Sequence, residues 1–418
     1  MHLRRLLLIS LLILCTSSTR GFCGEGHIAK WTCIIYLAGD NFLDWFTAQN
    51  LEEMKRVGSN YDVRVVVLAD RMDKHGHLYE VRKDYLVNLP LEAVRPDWKD
   101  KEINTGDPRT LSAFASWAVE NLPAENYFLL LGGYGEGWTG LLHDFDDSTG
   151  KVDILSLDEM EEALVNITKS IKKTNGKDSI DILGLDTCYM GMVEVLYQIG
   201  DSARYVIVSE NEEALDGWPY DKVIGAFIQD PTRSARGLAS SVVDVYVDPV
   251  QDDKARKINN ILTASLIDMK GFKELIPPLG ALALELSDLL PLKIEDIFEV
   301  DRFTNTFTVS AHIAGRYVPY SVHYDLGEFL KALVIKLNRY PSLCAKAEGV
   351  MKALAEVVIK ERHQDLIDRK LSLSGLAIYS MGAELEAYSR LPFSQRTRWN
   401  NFVEAKLRPL EKAVGKGR

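Results

Sequence analysis

Nothing in this sequence is arranged to grip a zinc ion or to staple a small fold. Its five cysteines, Cys15, Cys23, Cys33, Cys188 and Cys344, form no CxxC pair and no clustered His/Cys pattern. They are too scattered for a disulfide framework, although spacing alone leaves a Cys23–Cys33 or a Cys33–Cys344 bridge open. Basic charge is in deficit. The 49 Lys and Arg against 60 Asp and Glu leave a formal net charge of −11, without the basic face of a nucleic-acid binder. No apolar run reaches the roughly 20 residues that a membrane-spanning helix needs, and there is no internal repeat or low-complexity tract. What remains, 46% hydrophobic and 26% charged residues over 418 positions, is the composition of a folded chain. It has room for two or three domains, or for one large α/β domain with an appendage.

The N-terminal pattern is basic, then apolar, then polar: Arg4-Arg5, Leu6 to Leu14, and Thr16 to Thr19. That is the order of a secretory signal, so residues 1–24 are expected to be a signal peptide and the mature protein to be secreted or extracytoplasmic. Cys15 stands where a bacterial lipoprotein carries its lipidated cysteine, the one route to a membrane in this sequence, but Leu14 is larger than the residue such a site prefers.

Beyond the leader, β-rich runs alternate with helical periods. Trp31 to Ala38, Val63 to Ala69, Tyr127 to Leu131, Ile180 to Asp186 and Arg204 to Ser209 read as strands, and Leu78 to Arg82 as a short edge strand. Helical periods lie between them, from about Trp45 to Val57, Pro108 to Leu122, Ser156 to Lys173 and Met190 to Gly200. This alternation predicts an α/β fold with a mainly parallel central sheet covered on both faces, whose sites gather at the carboxyl ends of the strands. Past residue 250 the order changes. A strand is expected near Ala264 to Met269, helices over Leu326–Leu337 and Ala345–Glu361, a strand over Leu373–Tyr379 and a closing helix over Trp399–Leu407. The charged stretch Asp252–Lys257 marks a junction between a domain of residues 31–250 and a C-terminal α/β part of residues 251–418, packed on or extending the same sheet.

Two turns at strand ends carry the chemistry. One is Gly133-Tyr134-Gly135-Glu136-Gly137-Trp138, and the other is Asp186-Thr187-Cys188-Tyr189-Met190. With a helix starting at Met190, the Cys188 sulfur would sit near a helix N-terminus, which favours the thiolate and suits a nucleophile. The alternative for Cys188 is a buried structural cysteine; for Asp186 it is a helix cap, and for Asp216 a turn residue.

Four segments together resemble the clostripain family of cysteine peptidases, relatives of the caspases. They are Trp31 to Asn41, Gly184 to Met190, Asp216-Gly-Trp-Pro-Tyr-Asp221, and Ser374 to Tyr379 with Trp399 to Ala405. The resemblance implies a caspase-like α/β/α sandwich with Cys188 as nucleophile and Gly135 as an oxyanion backbone donor. It also implies Arg/Lys-directed cleavage, with Asp186 and Asp216 as the acids of the primary pocket. The family's histidine belongs in a His-Gly-x-Gly-Trp turn, and here that turn begins with Tyr134. A phenol of pKa about 10 cannot do the work of an imidazole at pH 7, so proteolysis is expected to be crippled.

Of the eight histidines, His143 in Gly140-Leu-Leu-His-Asp144 is the candidate stand-in, while His312 and His323 lie in the C-terminal part. No cofactor is expected. Asp144-Phe-Asp146-Asp147-Ser-Thr-Gly150 has half the pattern of a calcium loop and lacks the distal glutamate. Calcium use by some relatives keeps an ion open there, against the plainer reading of a solvated turn. Lys151 is where a family-like cut between the two turns would fall, and Asn166-Ile-Thr168, an N-glycosylation pattern, lies within a helical period. The sequence therefore supports an exported, impaired peptidase homologue that binds Arg/Lys-containing peptides. Its rivals are an active enzyme using Cys188 with His143, and a cell-surface binding module that ignores the cleft.

Overall fold

Strand β1 (Ala29–Gly39) shows why its apolar run is continuous. Trp31, Cys33, Ile35 and Leu37 pack into one hydrophobic layer and Ile34, Tyr36 and Ala38 into another, so both faces of the strand are buried. This is a computed structural model, which describes residues 27–72, 75–99, 102–145, 151–248, 261–313, 316–364, 370–382 and 384–415. The expected signal peptide, Cys15, Cys23, Asp146 to Gly150 and Asp252–Lys257 lie outside the described residues.

The further strands are β2 (Val63–Arg71), β3 (His77–Arg82), β4 (Tyr85–Leu89), β5 (Ala124–Gly132), β6 (Leu141–Asp144), β7 (Asp153–Leu155), β8 (Ile180–Asp186), β9 (Ala203–Val208) and β10 (Thr263–Asp268). They are followed by β11 (Thr306–Ile313), β12 (Arg316–Asp325), β13 (Val358–His363) and β14 (Ala377–Gly382). Nine of them form one sheet in the order β13-β10-β9-β8-β5-β1-β2-β3-β4. The run β9-β8-β5-β1-β2 is parallel, and the strands added at either end are antiparallel. The central sheet is thus the mainly parallel sheet of a caspase-like α/β fold, and β10 and β13, from beyond residue 250, extend it.

Helices α1 (Asp44–Lys55), α2 (Pro108–Asn121), α3 (Leu157–Asn175), α4 (Val193–Ile199), α5 (Tyr220–Gln229) and α6 (Ala235–Tyr246) link these strands. The apolar sides of α1, α5 and α6 join one hydrophobic layer, and those of α2, α3 and α4 the other. Helix α3 has both end signals: a capping box between Ser156 and Glu159, and Gly176 in the left-handed region at its C-terminus. Asn166 lies within it.

The C-terminal part contributes α7 (Ile276–Asp301), α8 (Leu326–Lys336), α9 (Pro341–Val357), α10 (Leu385–Arg390), α11 (Pro392–Thr397) and α12 (Trp399–Gly415). It also contributes an antiparallel sheet β11-β12-β14.

Four expectations are corrected. The edge strand is β4 rather than β3, because Asp84, at φ 73°, makes the reversal of a tight hairpin. Helix α9 stops at Val357, and the β-branched Val358-Ile359 instead pair with β10 as β13. Helix α4 begins at Val193, not Met190. Gly191 is held extended between two strands: its N–H donates to the Ser209 carbonyl and its carbonyl accepts from Ala377 N–H. Finally, Cys33 and Cys344 are both free thiols, so the Cys33–Cys344 bridge is absent.

Candidate active site

The two turns read from the sequence lie side by side because β5 and β8 are parallel neighbours, with Gly132 opposite Asp186. Strand order switches at β5 and β1, which leaves a crevice at their carboxyl ends. Contact between the turns is intimate. A Cβ on Gly135 would stand 2.4 Å from the Cys188 carbonyl oxygen and 3.0 Å from its nitrogen, so only glycine fits there. A cavity of about 60 Å³ opens beside them, walled by Tyr134, Asp186, Cys188, Glu213 and Tyr220 and bounded outward by Leu43, Phe46 and Leu215.

Cys188 is partly buried and lines this cleft. Its sulfur accepts the N–H of Glu213 at 3.2 Å. Burial pushes the thiol up to about 12, and the negative charges of Glu212 and Asp186 add to the effect of burial, which the Glu213 N–H only partly offsets. The thiolate-favouring helix terminus expected from the sequence is missing, because α4 starts five residues further on. Tyr189 next to it adopts φ 61°, and its hydroxyl reaches Glu212 Oε1 at 2.8 Å and the Thr308 carbonyl at 3.0 Å. Those contacts tie the cysteine turn to β11 of the second sheet.

Tyr134 is half-buried on the cleft wall. Burial first, and then the nearby Cys188, raise its phenol above the ordinary value. It therefore stays neutral at pH 7 and cannot take a proton from the thiol. Its ring lies 5.8 Å from that of His143 and stacks on Phe145 at 6.2 Å. His143 itself is buried in β6 and does not line the cleft. Its Nε2 lies 3.8 Å from Glu136 Oε1 and has no hydrogen-bond partner among the described residues, and burial lowers its pKa against the pull of Glu136. No histidine is among the described residues lining the cleft.

The acids sit opposite. Asp186 accepts the Tyr220 hydroxyl at 2.7 Å and the Trp218 N–H at 3.2 Å rather than capping a helix. Gly217, at φ +67°, lets that loop approach, since a Cβ there would stand 2.7 Å from Asp186 Oδ2. Burial raises Asp186, while a hydrogen bond from Glu213 pulls it back. Glu213, buried and raised well above the usual carboxylate range by burial and by Asp186, also accepts the Trp218 indole N–H at 3.1 Å. Glu213 was not singled out from the sequence. Asp216, which was, is half-buried and not among the lining residues, with its carboxyl raised by burial.

The remaining candidates lie elsewhere. His323 is fully buried behind the turns, bonded to Ser321 Oγ at 2.9 Å, and burial drops it to about 3. His312 pairs with Tyr317 in the β11–β12 ladder. Asp144 is buried and accepts the N–H of Thr105 at 2.7 Å and its hydroxyl at 3.0 Å. Among the described residues, no group of three or more His, Cys, Asp or Glu is placed to hold a metal ion. Lys151 is exposed. None of the described helices is long and apolar enough to cross a membrane.

With this geometry in place, comparison with known proteins is informative. Residues 35–405 match the model of the clostripain family, peptidase family C11. The chain is 26% identical over 227 residues to clostripain from Hathewaya histolytica, a match over 46% of this chain and only 41% of that protein. Among solved structures it resembles an inactive zymogen C11 protease from Parabacteroides distasonis, with TM-score 0.63, 18% identity, and 89% of this chain and 99% of that one covered. A secreted C11 cysteine protease from Bacteroides thetaiotaomicron, bound to an irreversible peptide inhibitor, aligns with TM-score 0.60 at 18% identity, over 89% of this chain and 99% of that one.

Proposed function

Given that the chain belongs to the clostripain family of cysteine peptidases, we propose that it is an exported homologue that binds Arg- or Lys-containing peptides in its cleft and has lost ordinary peptidase activity. The observation that carries this reading is the composition of the cleft wall. Cys188 faces the cavity together with Tyr134, and no histidine is among the described residues that line it.

Peptide hydrolysis by a cysteine enzyme needs a thiolate to attack the carbonyl carbon and a proton for the departing amine. An imidazole does both. Tyr134, in the turn that resembles the family's His-Gly-x-Gly-Trp, cannot form the thiolate at pH 7 with its phenol raised, and that phenol is a poor acid for the departing amine. A thiol pushed up to about 12 leaves only about one molecule in 10⁵ as thiolate at that pH. The Gly135 backbone could still polarise a carbonyl, but without nucleophile or acid that accomplishes little. Asp186 and Glu213, both walling the cavity, supply the acidic floor that a guanidinium or ammonium would seek. Export is supported by the N-terminal pattern and by likeness to a protein described as secreted.

An active enzyme served by His143 is the competing reading. The position of His143 argues against it: the residue lies in β6 beside the Tyr134 ring and does not wall the cavity. Incubation of purified protein with fluorogenic Arg- and Lys-ending peptides, beside Cys188→Ala, decides between them. The impaired reading expects equal background rates, and cleavage that disappears in Cys188→Ala overturns it. Retention of an Arg peptide on immobilised protein, with a Gln-substituted peptide passing through, supports the binding role against a surface module indifferent to the cleft.

A further inference from the structure

Three large apolar side chains stand exposed around the mouth of the cleft. Phe42 is 77% exposed, Trp45 62% and Leu215 50%. These side chains are continuous with the cavity. Leu43 and Phe46, from the turn and helix that carry Phe42 and Trp45, line it, and so does Leu215. Two aromatic lines run outward from it. Tyr134 on the cleft wall stacks on Phe145, which meets Phe42 edge-on at 5.3 Å, and Phe46 meets Trp45 edge-on at 5.0 Å.

The backbone that carries the shelf is pinned by hydrogen bonds of its own chain. Asn41 accepts the N–H of Leu43 at 2.9 Å and donates to the carbonyls of Ala38 at 3.0 Å and His143 at 2.7 Å. Arg71 grips Asp44 with two parallel bonds, at 2.9 Å and 3.0 Å. Preorganised aromatic surface costs little entropy on binding, which is why aromatic side chains so often serve as binding anchors.

Resting on the reading of the cleft as a basic-peptide site, we infer that the Phe42–Trp45 shelf is a second subsite. It selects extended peptides carrying a bulky apolar side chain within two residues of the Arg or Lys. The cavity floor is acidic and its rim is apolar, so one segment satisfies both only if it has a cation with an apolar neighbour. In extended chain two residues span about 7 Å, a reach that suits a shelf continuous with the cavity wall.

The test uses full-length Cys188→Ala protein and fluorescein-labelled hexapeptides with a central arginine flanked by phenylalanine or by glycine, followed by fluorescence anisotropy. The phenylalanine-flanked peptide is expected to bind about tenfold tighter. Adding Phe42→Ala and Trp45→Ala should erase that preference while changing affinity for the glycine-flanked peptide less than twofold. Equal affinity for both peptides, or a preference that survives the double substitution, overturns the shelf and leaves the basic pocket standing. A central norleucine that binds as well as arginine overturns the pocket reading and this inference with it, as does binding by no peptide. Concentration-dependent dimerisation that the double substitution abolishes, with no peptide preference, assigns the shelf to a second copy and overturns the inference.

Discussion

Asp186 and Glu213 meet at the floor of the cleft on one tryptophan: the Trp218 backbone N–H donates to Asp186 Oδ2 at 3.2 Å and its indole N–H to Glu213 Oε1 at 3.1 Å. Both are buried, and Glu213 is raised further and donates to Asp186, which that bond lowers. Burial and mutual repulsion favour keeping a proton on this pair, and an arriving cation favours its release.

It follows that Arg-peptide affinity should rise with pH over the range in which the shared proton is released. Glu213→Gln keeps the hydrogen-bond donor but not the titrating proton, so its affinity should be flat over that range. Asp186→Asn removes the charge and should weaken binding by about tenfold to a hundredfold. Calorimetric titration of the Cys188→Ala protein measures all three, and a wild-type pocket whose affinity falls with pH contradicts the shared proton.

Thiol reactivity reports on Cys188 directly. With the thiol pushed up to about 12, carboxamidomethylation of Cys188 by iodoacetamide should be slow at pH 7. Its rate should climb about tenfold per pH unit through pH 9, since only thiolate reacts. Peptide-level mass spectrometry follows the site, and a plateau below pH 9 would show a thiol activated by a partner that the cleft is claimed to lack.

Glu194 gives a stability test away from the site. It is buried in α4, accepts the Tyr379 N–H at 2.9 Å and the Tyr388 hydroxyl at 2.8 Å, and is raised by burial from 4.5 to about 7. A carboxyl raised on folding contributes stability that is fully present below about pH 4.5 and is lost as pH rises through about 7. Glu194→Gln imitates the protonated form. It should be more stable than wild type at pH 8 by about 3 kcal/mol, and by about 1 kcal/mol at pH 5. Urea unfolding at the two pH values provides the comparison, and a difference that does not shrink at pH 5 rules out titration of Glu194 as the cause.

Much of this site was legible in the sequence because buried parallel strands read as unbroken apolar runs, and their ends name the residues delivered to the edge. Tyr134 and Cys188 emerge that way from β5 and β8. Glu213 did not, because it lies in a loop with Glu210, Glu212 and Asp216, and local pattern does not tell which acid turns inward. The Trp218 indole and the Asp186 carboxyl settle it in three dimensions. The start of α4 was misplaced for a similar reason. Gly191 lies so close to Ser209 and Glu210 that a Cβ would approach their backbone to 2.8 Å, a tertiary constraint that keeps it extended. Strands β11 and β12 escaped notice altogether, being mixed in polarity and carrying Pro319 at an irregularity in their register.

The missing acid–base group at position 134 is what disables this cleft in the reading proposed, and putting an imidazole back there should restore activity. Tyr134→His is to be assayed on Arg- and Lys-ending fluorogenic peptides beside wild type and the Tyr134→His/Cys188→Ala double variant. The expected result is cleavage by Tyr134→His at a hundred to ten thousand times the wild-type rate, abolished in the double variant. Wild-type cleavage that depends on Cys188 and does not increase in Tyr134→His would show that the cleft already has a working acid–base group.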